Sequence, residues 1–192
     1  MSIVEKVKTE ILKLNEAYLQ GEDKYNFWEQ HFKFVVYESL HLAEIYGADK
    51  EIVELGAMLH DIALVSKVGT KKDHHVNGAK LAEEMLIKFK YPKYKTKRVV
   101  GCVLHHRSSK NAENVEEVCV ADADILAHFD NIPMVFECMY KFHNFETIEE
   151  SNKFLKSEFE RDFNDLSDRT KKTFKSDYNK ILNVIFKSDN IN

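Results

Sequence analysis

Proline, glycine and cysteine are scarce in this chain of 192 residues, and each scarcity narrows its class. Two prolines and six glycines are too few for a fold built on tight turns and favour long elements. The three cysteines, Cys102, Cys119 and Cys138, are odd in number, far apart and form no CxxC pair. That argues against a disulfide framework and a thiolate zinc site, and for free thiols in a reducing compartment. Positive charge is not in excess. The net charge is −4 with histidine neutral, so nothing marks a partner that is a nucleic-acid polymer. No apolar run approaches the length of a membrane span. The opening residues, Met1 to Lys8, carry charge where a signal peptide needs a hydrophobic stretch. These absences predict a cytoplasmic protein with no membrane partner.

What is present is helical periodicity. The chain is 44% hydrophobic and 31% charged, and at this length it can bury roughly 70% of the surface its unfolded form exposes. Ile3, Val7, Ile11, Leu14 and Tyr18 recur at steps of three and four, marking an amphipathic helix that stops near Gly21. A second helix is predicted from about Tyr25 to Tyr46, with Gly47 as its stop. A third is capped by Asp49 and ends near His60. Asp73 or Asn77 opens a fourth through Phe89. Pro92 starts the helix that runs to His105-His106, and further helices span about Glu113 to Phe129 and Met134 to His143. The tail from Thr147 to Phe186 reads as two more. No stretch alternates like a strand. The expectation is an all-α, single-domain helical bundle. Residues 1–24 form an N-terminal helix packed on the core, 25–132 the core, and 133–192 a C-terminal helical extension of the same compact domain.

His60-Asp61 stands inside the apolar run Leu55 to Leu64. A carboxylate there loses its hydration, and a buried imidazole needs a partner. A divalent cation solves both problems, because it takes neutral imidazole and ionised carboxylate together. His31, His74-His75, His105-His106 and Asp122-Ala123-Asp124 stand in similar apolar surroundings. Adjacent residues on a helix point about 100° apart, so His60 and Asp61 share an ion only at a helix terminus. Asp122 and Asp124 face nearly opposite ways, so one of them reaches a shared ion. His128 lies four residues after Asp124, on its face. Lys67, Lys71, Lys72, Arg107 and Lys110 cluster in the two loops that follow these candidates, where cations that bind phosphate are expected.

The order His31, His60-Asp61, Ala123-Asp124-Ile125-Leu126 resembles the H…HD…D order of the HD-domain superfamily of metal-dependent phosphohydrolases. Gly47-Ala48-Asp49 through Leu59-His60-Asp61-Ile62 is similar to that family's GAD…LLHDI segment. His75-Val76-Asn77-Gly78-Ala79 resembles its H-x-x-GA, and Leu104-His105-His106-Arg107 its paired histidines. The resemblance covers about Trp28 to Phe129. A glycine-rich GYP signature is absent after His106, which sets the cyclic-di-GMP-cleaving subfamily aside.

The resemblance implies a bundle of the HD-domain type, with His31, His60, Asp61 and Asp124 as metal ligands. His74, His75, His105 and His106 become candidates for a second ion or for substrate. Lys67 and Arg107 are the preferred phosphate-binding cations, Asp122 is either a structural residue or a supporting polar group behind the ligands, and His128 is such a supporting group. The implied cofactor is a divalent metal ion, Mn, Fe, Co, Ni, Zn or Mg, with one ion expected and two permitted. The implied partner is a phosphorylated small molecule, a nucleotide first of all, cleaved at a phosphoester or phosphoanhydride bond by metal-activated hydroxide. A homodimer stays open. Two rivals share the pattern: a di-iron oxygenase of the same fold, and a non-catalytic helical module that binds a metal or nucleotide.

Overall fold

The computed structural model describes residues 1–22 and 24–187. Ser2 opens α1 (Ile3–Leu19) with a reciprocal cap: its hydroxyl accepts from the Glu5 N–H, and its own N–H donates to the Glu5 carboxylate. This settles two of the orphan donors that every helix start leaves. A π-helical turn, Trp28–Phe32, leads without a break into α2 (Lys33–Tyr46). Gly47 ends α2 in the left-handed region, φ 73°, a conformation that costs glycine least. Asp49 then caps α3 (Lys50–Leu59), accepting from the Glu51 and Ile52 N–H groups.

The rest is helical as well: α4 (Ile62–Val65), α5 (His74–Lys88), α6 (Lys93–His105), α7 (Val115–Asp130), α8 (Ile132–Phe142), α9 (Ile148–Asp165) and α10 (Asp168–Ile185). A short 3₁₀ turn at Ser109–Asn111 precedes α7. The expected all-α class stands, with no strand among the described residues. Pro92 lies just before α6 and not in its first turn.

α3 is the central rod. Ile52, Val53, Leu55, Gly56, Ala57, Met58 and Leu59 are all buried, so nearly its whole circumference is covered, by α1, α2, α6 and α7. Gly56 explains the closeness of α6: a Cβ at that position would lie 2.6 Å from Cys102 Cβ. α7 packs on α2, α3 and α6 and carries α8, α9 and α10 on its other side. The metal-ligand candidates therefore sit between the central helices, and the C-terminal helices cover α7.

Candidate metal centre

Each candidate ligand is delivered by a local feature of the backbone. His31 projects from the π-helical turn, a distortion often found at functional sites. His60 follows the last residue of α3, and Asp61 leaves helical geometry at φ −105°, ψ 22°. That break lets two neighbouring side chains face one centre, which a continuous helix would forbid. His74 begins α5, His106 follows α6, and Asp124 lies in the middle of α7.

Among the described residues two groups of donor atoms gather. One is His31, His60 and Asp124; the other is Asp61, His74 and His106, and within each group all donor atoms lie within 4.8 Å of one another. In the first, His31 Nε2 is 3.0 Å from His60 Nε2 and 3.0 Å from Asp124 Oδ1. In the second, His74 Nε2 is 3.0 Å from His106 Nε2. Asp61 joins them. Its Oδ2 lies 3.6 Å from His60 Nε2 and 3.9 Å from His31 Nε2, and its Oδ1 lies 3.2 Å from His74 Nε2 and 3.6 Å from His106 Nε2.

The hydrogen bonds behind these rings decide what the inner nitrogens can do. His60 Nδ1 donates to the Ala57 carbonyl at 2.7 Å, His74 Nδ1 to Lys71 at 2.6 Å and His106 Nδ1 to Val103 at 2.7 Å. In the neutral rings this leaves Nε2 as a bare lone pair aimed inward. Two such lone pairs face each other 3.0 Å apart across His74 and His106, an arrangement satisfied only by a shared cation or proton.

Charge favours the cation. Burial lowers the His60 pKa despite Asp61 and Asp124, and burial takes His106 down to about 4. Burial also works to raise both carboxylates, yet the surrounding imidazoles hold Asp61 and Asp124 below the usual range. Burial opposes charge on His74, but Asp61 draws it above the ordinary imidazole value. Imidazoles and ionised carboxylates converging on one point, with buried Asp61 Oδ1 lacking a full hydrogen bond among the described residues, fit divalent metal ions.

The centre opens into a cavity of about 870 Å³ whose lining includes His31, Asp61, His74, His106 and Asp124. Tyr25, Phe27, Met134, Phe142 and Phe154 give it an apolar, aromatic wall. Lys71 and Arg107 also face it. Lys71 Nζ stands 5.6 Å over the Phe142 ring, and Arg107 donates to the Lys72 carbonyl.

Four of the sequence candidates lie apart from the donor groups. His75 belongs to neither donor group; it is one helix step from His74, so only one of the two can face inward. His105 turns the other way and gives its Nδ1 proton to Glu117 at 2.7 Å, at the start of α7. Lys67 does not line the cavity, because its Nζ sits 4.6 Å over the Tyr18 ring. Asp122 faces α10: it accepts from the Ser167 N–H, the Ser167 hydroxyl and the Thr170 hydroxyl, and so anchors the start of that helix. His128 does come beside His31, with ring centroids 5.8 Å apart.

Arg161 and Asp162 on α9, and the aromatic wall from α8 and α9, were not foreseen. The tail offered amphipathic periodicity but no motif, and periodicity says that a face is buried without saying against what.

A family model for the HD domain matches residues 28–128. No curated protein matches the chain. Its fold is similar to the crystal structure of a predicted HD superfamily hydrolase from an uncultured Thermotogales bacterium. The two are 22% identical with a TM-score of 0.56, over 84% of this chain and 97% of that one.

Proposed function

Because the chain belongs to the HD-domain family, we propose that it is a metal-dependent phosphohydrolase acting on a phosphorylated small molecule, first of all a nucleotide. The observation that carries this reading is Asp61, with one carboxylate oxygen turned to His31 and His60 and the other to His74 and His106. His31, His60 and Asp124 would hold one ion, His74 and His106 a second, and Asp61 would serve both. Bound divalent cations supply a water acidified towards neutral pH and Lewis-acid polarisation of a phosphoryl oxygen.

The chain's own residues do the rest. Backbone carbonyls at Ala57, Lys71 and Val103 fix three ligand rings before any ion arrives, so little reorganisation is needed on binding. Arg107 and Lys71 offset charge that grows on the phosphoryl oxygens. The cavity, about 870 Å³, lies within the range of small-molecule sites. Its aromatic wall suits a planar base, and its cations suit phosphates.

The test uses the purified full-length chain with a panel of nucleotides and each divalent cation in turn. Release of phosphate or pyrophosphate that requires the cation and is lost in Asp61→Ala supports the reading. No release from any nucleotide with any cation overturns it. The shared position of Asp61 also suits two irons and an oxidative reaction. Anaerobic metal analysis with an iron-oxo absorption band would favour that second reading.

A further inference from the structure

The four imidazoles of the centre are not held alike. His60, His74 and His106 each give the Nδ1 proton to the carbonyl three residues earlier. His31 does not. Its Nδ1 is buried with no hydrogen-bond partner among the described residues; the ring is carried by the π-helical turn Trp28–Phe32. A ring whose Nδ1 has no anchor depends on its other neighbours for its orientation, and ring orientation governs metal affinity.

What His31 has in place of a carbonyl is a wall. His128 lies alongside it, the planes 22° from parallel. His128 is itself fixed: its Nδ1 donates to Asp162 Oδ2 at 2.9 Å. The second oxygen of Asp162 accepts from Arg161 Nη2 at 2.9 Å, and Arg161 Nη1 donates to Glu158. Asp162 is buried. Both its oxygens are therefore committed, and the chain of contacts runs from α9 through α7 to His31. α9 lies outside the stretch that the family model matches.

We infer that His128 and Asp162 are positioning residues for the metal centre, through which the C-terminal extension orients the ligand ring of His31. This rests on the proposal that the centre binds metal. It assigns the extension a role in completing one of the two donor groups, beyond walling the cavity. The group of Asp61, His74 and His106 should not depend on it.

The test follows Co²⁺ binding by visible absorption in two full-length backgrounds. His74→Ala leaves the His31 group as the complete one; His31→Ala leaves the other. In the first background, His128→Ala or Asp162→Asn should weaken Co²⁺ binding about 10–100-fold. The two together should do no more harm than the stronger alone, because they act through one chain. In the second background both changes should leave affinity within about twofold, because their path to the centre runs through the absent His31. If His128→Ala fails to fold, the near-isosteric Asp162→Asn carries the test alone. Unchanged affinity in the first background, or equal loss in both, overturns the inference while leaving the metal centre standing. A wild-type chain that binds no Co²⁺ overturns both.

Discussion

At the scale of single residues, the two aspartates of Asp122-Ala123-Asp124 illustrate how one turn of helix divides labour. Asp124 faces the imidazoles, while Asp122 faces the start of α10 and takes three hydrogen bonds there. Asp124→Ala should remove most activity while leaving the fold intact. Asp122→Ala should spare the donor groups but cost about 2–3 kcal/mol of stability, because it strands buried donors around a former charge. Assays of phosphate release beside urea melts of both variants check this, and the reverse pattern would show the assignment to be wrong. A second residue-scale prediction concerns Glu38 on α2. Burial and the Asp130 carboxylate push Glu38 up to about 7. A carboxyl raised in the fold contributes its stability at low pH and loses it as pH rises through that value. Glu38→Gln should therefore match the wild type near pH 5 and exceed it by about 1 kcal/mol at pH 8, a figure reduced for partial exposure. Thermal melts at the two pH values measure it.

At the scale of elements, the meeting of α3 with α6 at Gly56 sets how close the helices bearing His60 and His106 approach. Gly56→Ala would drive a methyl into Cys102 and should cost about 1–3 kcal/mol, the usual penalty of overpacking. A stability gain on this substitution, expected from helix propensity alone, would contradict the packing described. The elements also show what a sequence can disclose. α3 was legible because its cap, its apolar face and the stray His60-Asp61 all lie within a dozen residues. His31 and Asp124 were legible from their order around that pair. The choice between His74 and His75, or His105 and His106, was not. It depends on helix phase at an end, where one residue of drift turns a side chain by about 100°. The carbonyls of Lys71 and Val103 select His74 and His106, and no motif encodes them. Lys67 and Lys71 share one loop, and the preference for Lys67 had no physical basis in the sequence: Lys67 lies over Tyr18 and Lys71 lines the cavity.

At the scale of the whole molecule, the candidate ligands come from the π-helical turn before α2 and from α3, α5, α6 and α7 or the residues that end them. A cation bound among them would tie together segments that span much of the chain, and it would bind only the folded state. Divalent cation at about 100 times its Kd should therefore stabilise the chain by about 2.7 kcal/mol per site. Asp61→Ala should lose that increment, and a chelator should return the wild type to the metal-free melting temperature. The extension took its meaning only from the fold. Its amphipathic helices were visible in the sequence, but their place over the cavity, with Phe142 and Phe154 facing the centre, follows from packing on α7.

The proposed chemistry depends most on two donor groups joined by Asp61 holding divalent ions. Equilibrium dialysis of the metal-stripped chain against Mn²⁺, read by elemental analysis, tests this directly. Two ions per chain, with both bound far more weakly in Asp61→Ala, is the predicted result. A chain that retains no ion, or an Asp61→Ala variant that binds as the wild type does, would contradict it.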